Sequence, residues 1–394
     1  GLKGLVVLFR RSPDGVWTQV QSTIQESVVH GSEFGAGIAV DGDIVVIGSP
    51  GFVIPQQAPF GNMRGRVQVF RLNADDTHVS LFTQSVTPNF DRYGSSVAMS
   101  HGWIVAGRPG SKSAAVQFLR IDDGVVSAMQ AFPAAAGSAT SLGDVVAITS
   151  GWAAAGAVDL SAQLGLHAAV RIFKRTGESL WAPFTTLQAP YPQLSNWHGL
   201  SLAMDEERII VGSPATEMQA QPRRGVAFIY RRVGDIWSLE AELEAPNEIF
   251  CEGFGRAVAI DGLRVAISAV EFGEARGGET AAVFIFEFIG GAWHHVDTRL
   301  GAADTDFGAA LALKGGTLVI GAPGTSDDKE SFEGCVIVTT LIAGDLNGDG
   351  VVNGADLAIL LGSWGAAPPG TIADLNGDGV VDGADLALLL GQWS

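Results

Sequence analysis

Basic residues and long apolar runs are both scarce in this sequence. Lys and Arg total 24 against 42 Asp and Glu, which gives a net charge of −18 at pH 7. Proteins that bind nucleic acid need a basic face, so this balance argues against a nucleic-acid partner and against attraction to anionic lipid. No apolar run reaches the roughly 20 residues that a membrane-spanning helix needs. The sequence therefore predicts neither a nucleic-acid partner nor a membrane span.

Cysteine is also rare, with only Cys251 and Cys335. They form no CxxC pattern, which argues against a cysteine metal site. Two interpretations stay open: two buried free thiols, or one disulfide. The chain starts at Gly1 without Met and shows no signal peptide, so we expect its start to be trimmed or incomplete.

Recognisable catalytic patterns are missing as well. None of the 7 histidines belongs to an HExxH sequence, and there is no GxSxG. The sequence therefore predicts no catalytic residue and no residue that binds an organic cofactor. Paired carboxylates from different parts of the chain would escape this search, because sequence does not show spatial pairs.

Glycine is abundant, at 52 residues, and it accompanies a repeat. The clearest copy runs from Phe34 to Pro50 and reads FGAGIAVDGDIVVIGSP. The copies share an aromatic or apolar residue before Gly, a VA-type strand, a short turn, and a second strand that ends in Gly. Further copies begin at Tyr93, Leu142, His198, Phe254 and Phe307.

Each copy predicts one unit of four strands, called a, b, c and d. Strands a and b form the repeat just described; strand c resembles 65–70 (GRVQVF), and strand d often opens with Trp, as at Trp181. Four antiparallel strands repeated at this spacing are typical of a β-propeller blade. The sequence predicts an all-β propeller over residues 1–342.

The number of blades stays open between six and seven. Six a–b pairs are present, and a c–d pair at 4–21 precedes the first of them. The last copy has strand c, beginning at Cys335, without an obvious strand d. We favour a seven-bladed parent that lacks its N-terminal strands.

The blades resemble the FG-GAP repeats of integrin-type propellers. That family often carries a calcium loop between strands a and b. Here this connection is only two to four residues, as at Asp41-Gly42-Asp43, so we predict no calcium in the blades. His198 replaces the Phe of the repeat and is predicted to be a packing variant, whereas His294 and His295 are predicted to be exposed.

The loops between strands b and c vary most in length, and variable loops on a rigid scaffold often carry binding. We predict that they form a face for a protein or glycan ligand, with neutral length variation as the alternative. Arg223 and Arg224 could hold an acidic group, with solvated side chains as the alternative. A weak cation could bind at Asp327, Asp328, Glu330 and Glu333, with an ordinary polar loop as the alternative. These loops are 51–63, 215–224, 270–278 and 324–333.

Two nearly identical twelve-residue stretches, 345–356 and 374–385, close the chain. Oxygen-bearing side chains stand at positions 1, 3, 5, 9 and 12, position 7 offers a backbone carbonyl, and Gly350 or Gly379 supplies the turn at position 6. Calcium takes six to eight oxygen ligands at about 2.3–2.6 Å, and this spacing brings them round one point. The predicted ligands of two calcium ions are Asp345, Asn347, Asp349, Val351, Asn353, Asp356, Asp374, Asn376, Asp378, Val380, Asp382 and Asp385.

An apolar stripe follows each loop at helical spacing. The stripes are predicted to bury each other, and they comprise Leu357, Leu360, Leu361 and Trp364, then Leu386, Leu389, Leu390 and Trp393. Residues 343–394 resemble a dockerin, the small α-helical, EF-hand-like module that binds a cohesin on a scaffold protein. The resemblance implies calcium binding and a cohesin-like partner.

The docking positions depart from that family's pattern. Dockerins usually carry hydroxyl residues at loop positions 10 and 11, where this chain has Gly354-Ala355 and Gly383-Ala384. No Lys or Arg occurs from 343 to 394. Cohesin binding therefore stays open, and a partner surface on this module would be small and apolar.

The two resemblances together imply a bacterial extracellular or cell-surface protein, and with no catalytic pattern in the sequence we predict a binding protein without catalytic activity. A dockerin-like module would attach its propeller or stabilise it. The alternative is a carbohydrate-active hydrolase or lyase on the propeller, tethered by the same module for polysaccharide degradation.

Overall fold

The chain forms two compact units, Gly1–Gln193 with Trp197–Leu200, and Leu194–Asn196 with Ser201–Ser394. This division falls between the third and fourth blades, and the predicted boundary at 342 stays a prediction. The computed structural model describes residues 4–12, 16–25, 32–51, 65–86, 91–111, 115–134, 142–157, 169–190, 195–216, 224–246, 252–269, 281–301, 305–324, 334–342, 344–347, 351–367, 371–376 and 379–393.

The first unit contains one two-stranded sheet and three four-stranded sheets among its described residues. The two-stranded sheet is β1 (Leu5–Arg11) and β2 (Trp17–Gln25). The first blade is β3 (Gly37–Asp41), β4 (Ile44–Ser49), β5 (Arg66–Leu72) and β6 (His78–Ser85). The second is β7 (Val97–Ser100), β8 (Trp103–Gly107), β9 (Val116–Asp122) and β10 (Val125–Phe132). The third is β11 (Val146–Ile148), β12 (Trp152–Ala157), β13 (Ala169–Arg175) and β14 (Trp181–Gln188).

The second unit continues the blades. A short pair, β15 (Ser195–Asn196) with β18 (Ala215–Thr216), flanks the fourth blade, which is β16 (Ser201–Met204), β17 (Arg208–Ser213), β19 (Val226–Val233) and β20 (Ile236–Leu243). The fifth is β21 (Val258–Asp261), β22 (Arg264–Ala269), β23 (Ala282–Ile289) and β24 (Ala292–Leu300). The sixth is β25 (Ala310–Lys314), β26 (Thr317–Ala322) and β27 (Cys335–Thr340).

The chain ends in two short helices and one short strand pair. These elements are α1 (Gly354–Gly362), β28 (Gly365–Ala366), β29 (Val380–Val381) and α2 (Gly383–Gly391).

Neighbouring strands of each blade pair antiparallel in the order a, b, c, d, as predicted. The fold is all-β, a propeller arrangement with six blades in the described part of the chain. The sixth blade has three strands, without a described strand d. A seven-bladed parent stays a prediction.

The turns between strands a and b are tight hairpins, as predicted. Asp41 pairs with Ile44, and Lys314 pairs with Thr317, so two residues make each turn. Gly315 and Gly316 both take positive φ, 54° and 74°. The turn of Gly42 and Asp43 has positive φ only at Gly42, at 61°. Positive φ at the first central residue is common to both favoured two-residue hairpin types, which is why glycine recurs there.

Apolar side chains fill the space between consecutive blades. Between the second and third blades, the rings of Phe118 and Trp181 stack with centroids 4.8 Å apart, and Trp103 meets Trp181 edge-on at 5.6 Å. All three side chains are at most 2% exposed. Burying an aromatic side chain of this size contributes on the order of 2–3 kcal/mol. The blades are therefore joined by their own cores.

The predicted burial of Cys335 is wrong. Cys335 opens β27, and its side chain is exposed, as are those of Val336 and Ile337. Cys251 lies outside the described residues, so its predicted states stay open.

Candidate functional site

The C-terminal module has a small core of its own. Strand β28 pairs with β29, and the helices pack beside them. The core residues are each 0% exposed and comprise Val352, Leu360, Ala373, Val381 and Leu389. The two copies therefore bury equivalent residues, such as Leu360 in α1 and Leu389 in α2.

The predicted apolar stripe is only half right. Leu360 and Leu389 are buried, and Leu357 and Leu386 are partly buried against the same core. The remaining members are exposed, at 51% for Leu361, 49% for Trp364, 50% for Leu390 and 46% for Trp393. A helix of nine residues against a small core has one narrow buried face, so position i+4 turns outward, and the residue at i+7 lies beyond the end of each helix.

Position 12 holds the first loop together. Asp356 is 0% exposed. Its Oδ1 accepts hydrogen bonds from the backbone N–H groups of Leu346 (2.8 Å) and Asn347 (3.2 Å), and its Oδ2 accepts from that of Asn353 (2.8 Å). The carboxylate thus ties the start of the loop to the start of α1.

The second loop repeats this arrangement. Asp385 is 0% exposed, and it accepts from the backbone N–H groups of Asn376 (3.0 Å) and Asp382 (2.9 Å). Asp374, at position 1, accepts from the backbone N–H of Gly379 at 2.9 Å. Position 1 is therefore linked to the turn glycine at position 6.

Position 9 of each loop is also the N-cap of the following helix. The Asn353 side chain accepts from the Ala355 N–H, and the Asp382 side chain accepts from the Ala384 N–H. With the position-12 carboxylates these residues form two reciprocal capping boxes. The same side chains that are predicted ligands therefore also fix where the helices begin.

The donor set fits a hard cation. The predicted ligands offer only oxygen, and the module has no Lys, Arg or His. A buried carboxylate without a basic partner is costly unless hydrogen bonds or a cation compensate it. Asp349 and Asp378, at position 5, lie outside the described residues. Among the described residues, no three acidic, His or Cys side chains are gathered as a metal site would require.

Burial and hydrogen bonding shift the pKa values of two titratable groups in the blades. Burial lowers the pKa of His198, which is 0% exposed, to about 4. Burial would raise the pKa of Glu240, but hydrogen bonds from Arg208 and Trp293 lower it below its usual value. His198 is a packing residue, as predicted.

Two other sequence predictions can be checked. Arg224 donates to the backbone carbonyls of Ala245 (3.2 Å) and Pro246 (3.4 Å), so its described bonds are internal rather than to solvent. The predicted exposure of His294 and His295 is wrong, since both are partly buried. The His295 ring packs edge-on against Phe286. Arg223, 327–333 and most of the variable loops lie outside the described residues.

Sequence reasoning missed a contact that joins blades at their a–b turns. The Asp41 carboxylate accepts from the backbone N–H of His101 at 2.9 Å, one blade onward. Asp261 likewise accepts from the N–H of Gly315 at 2.7 Å and from Lys314 Nζ at 2.9 Å. In both blades the sequence signal for this contact is an Asp that ends strand a and is followed by Gly.

The C-terminal module matches a known family. Residues 343–392 match the dockerin type I domain. Dockerin domains bind calcium, and their partners are the cohesins. The oxygen-only loops and the duplicated helices belong to this domain. The resemblance of the blades to FG-GAP repeats stays a prediction.

Several solved structures align with most of the chain at low identity. A putative 6-phosphogluconolactonase from Bacteroides fragilis is 14% identical, with a TM-score of 0.44, and the match covers 85% of this chain and 90% of that one. The periplasmic gluconolactonase of Pseudomonas aeruginosa is 12% identical, with a TM-score of 0.48, and the match covers 84% of this chain and 94% of that one. A putative 6-phosphogluconolactonase from Bacteroides uniformis is 10% identical, with a TM-score of 0.47, and the match covers 81% of this chain and 90% of that one. None of the three bears on the activity of this chain.

Two further comparisons complete the description. No curated protein matches the sequence. Among the described residues, no helix has the length and apolar character needed to cross a membrane.

The dockerin domain follows the sixth blade without a long linker. The backbone N–H of Leu341 donates to Gly316 O at 2.6 Å, and Arg264 Nη1 donates to Leu341 O at 2.8 Å. Arg264 is in turn paired with Glu287. The residues just before the domain are thus fastened to the fifth and sixth blades.

Proposed function

We propose that this protein is an extracellular or cell-surface binding protein without catalytic activity. Its propeller presents a face for a protein or glycan ligand. Its dockerin domain holds two calcium ions and attaches the molecule to a protein partner of the cohesin type.

One observation carries the proposal: two complete oxygen-donor loops lie in a domain without a basic side chain. Position 12 of each loop, Asp356 or Asp385, is fully buried and bonded to backbone N–H groups. Residues 343–394 carry seven carboxylates and no basic side chain, so bound calcium would supply the positive charge that balances them. The proposed ligands are the twelve residues predicted above, six in each loop.

The partner surface is proposed to be apolar and duplicated. Leu361 in α1 and Trp364 just after it have counterparts in Leu390 in α2 and Trp393 just after it. All four are about half exposed, so each offers apolar area to a partner. The family's usual docking positions remain Gly and Ala here, so these four side chains would supply most of the contact area.

The calcium part of the proposal is tested by titration. The full chain is stripped with chelator, dialysed and titrated with calcium in a calorimeter. Two ions per chain are expected. Asp356→Ala and Asp385→Ala should each leave one, and the double variant none, so each single variant is the matched control for the other. Wild-type chain that takes up no calcium, or single variants that still take up two ions, would contradict the proposal.

The partner part is tested separately with purified type I cohesin domains. Calcium-dependent binding is expected, and Leu361→Glu with Leu390→Glu should weaken it at least tenfold. Val125→Glu is the control, because Val125 is an exposed apolar residue of β10, outside residues 343–394. Normal calcium uptake without cohesin binding would refute this attachment and leave the calcium sites intact.

A further inference from the structure

One apolar face of the first blade is uncovered. In the fifth blade, Val258 and Ile260 on β21 are 7% and 8% exposed, because they pack on the fourth blade. The same places in the repeat are Ile38 and Val40 on β3, and these are 49% and 57% exposed. The sequence frame is the same in both blades, so the difference lies in what covers the face.

Strands β1 and β2 are the outer half of a blade. A side chain on Gly4 would overlap the backbone of Phe34, just as one on Gly65 would overlap that of Tyr93. Gly65 stands directly before β5, which is strand c of the first blade, and Tyr93 begins the copy of the repeat in the second blade. Strand β2 opens with Trp17, as strand d opens with Trp elsewhere. Strands β1 and β2 therefore occupy positions c and d of a blade that precedes the first.

The inner half of that blade has no described strands. The sheet order is β1–β2 alone, whereas the other described c–d pairs continue into strands b and a. On β1, Val6 is 4% exposed and covers Val45 and Ile47 of β4. Among the described residues nothing comparable covers Ile38 and Val40 of β3, so the uncovered area is the part that strands a and b of the preceding blade cover elsewhere.

The geometry points to a β-hairpin of the protein's own a–b type as the occupant of this face. Its strand b would pair with the edge of β1 opposite β2, and its strand a would cover Ile38 and Val40. Every copy of the repeat has Ala in the centre of strand a, and in the fifth blade this Ala, Ala259, packs with residues of the sixth. In each described four-stranded blade strands a and b directly precede strand c, so a hairpin joined to β1 through its strand b has the connection that this face requires.

A fusion tests this inference. Residues 254–280, which carry the a–b hairpin and b–c loop of the fifth blade, are placed directly before Gly4. Cys251→Ser and Cys335→Ser remove the native thiols, and Ile38→Cys adds a probe. The fusion should slow maleimide labelling of the introduced thiol at least tenfold relative to the unfused chain. The matched control carries Ala259→Glu and Ala266→Glu in the fused copy, which block its covering face, and it should not protect.

A second measurement needs no thiol. The fusion without cysteine changes should unfold at a temperature several degrees higher than the control fusion. Equal labelling rates in the two fusions, with equal unfolding midpoints, would overturn the inference. Slow labelling in the unfused chain would also overturn it, because the face would then already be covered. Dependence of that labelling on protein concentration would identify the cover as a second copy.

Discussion

At the scale of single residues, the repeated glycines have a steric reason. A side chain on Gly212, at the end of β17, would overlap the carbonyl of Gly255 in the next blade. The Gly255 N–H donates to Ser268 O at 2.9 Å, which holds that backbone in place. Other close pairs of this kind are Gly48 with Gly94, Gly107 with Gly143, and Gly156 with Gly199. The Gly near the end of strand b in one blade therefore makes a close backbone contact with the Gly that follows the aromatic or apolar residue of the repeat in the next blade.

Gly212→Ala should destabilise the protein by about 1–3 kcal/mol, because the added methyl forces two blade backbones apart. Urea unfolding followed by tryptophan fluorescence measures the change. Gly151→Ala is the control, since a side chain there meets nothing within 4 Å. Equal unfolding midpoints for the two variants would show that the close contact does not limit packing.

His198 should make stability depend on pH. Burial lowers its pKa in the folded chain to about 4, below the value of about 6.5 in unfolded chains. As the pH falls from 6.5 to 4, the unfolded state binds the proton first, so stability is lost across that interval and is fully present above it. The loss at the acid end is on the order of 3 kcal/mol.

The measurement is urea unfolding from pH 4 to pH 8. His198→Phe restores the aromatic residue found in other copies, and His198→Gln keeps a polar group that does not titrate. Both variants should lose this component of the pH dependence, whatever their stability at pH 8. A wild-type profile parallel to both variants would rule out the buried neutral histidine.

At the scale of elements, strand order and turn length were predictable, whereas side-chain exposure was less so. Strands a, b, c and d follow from alternating apolar residues and turn glycines, which are local signals. Exposure depends on what lies across the strand or helix. Ile38 and Val258 have the same place in the repeat, yet only Val258 is buried.

The helices of the dockerin domain show the same limit. Their first residues were predictable because ligand spacing and N-caps coincide at Asn353 and Asp382. The exposure of Leu361 and Trp364 was not, since a spacing of i, i+4 and i+7 does not say how wide the buried face is. Chemical identity at the calcium loops was therefore the most predictable part of the site, and its partner surface the least.

At the scale of the whole molecule, charge is unevenly distributed. The 394 residues carry −18, of which residues 343–394 supply −7 without a basic residue. In the absence of calcium these carboxylates repel one another across short distances. Screening by salt reduces such repulsion, because the Debye length falls from about 30 Å at 0.01 M to about 8 Å at 0.15 M.

The dockerin domain should therefore respond to salt with opposite sign in its two states. In chelator, raising NaCl from 10 to 500 mM should slow amide hydrogen exchange in α1 and α2 several-fold, because it screens repulsion between the carboxylates. In limiting calcium the same change should speed exchange, because it screens the attraction between the cation and its ligands. Peptides from β17, a fully buried strand, are the internal control and should change little in either condition. Salt effects of the same sign in chelator and in calcium would mean that carboxylate repulsion does not govern the order of this domain.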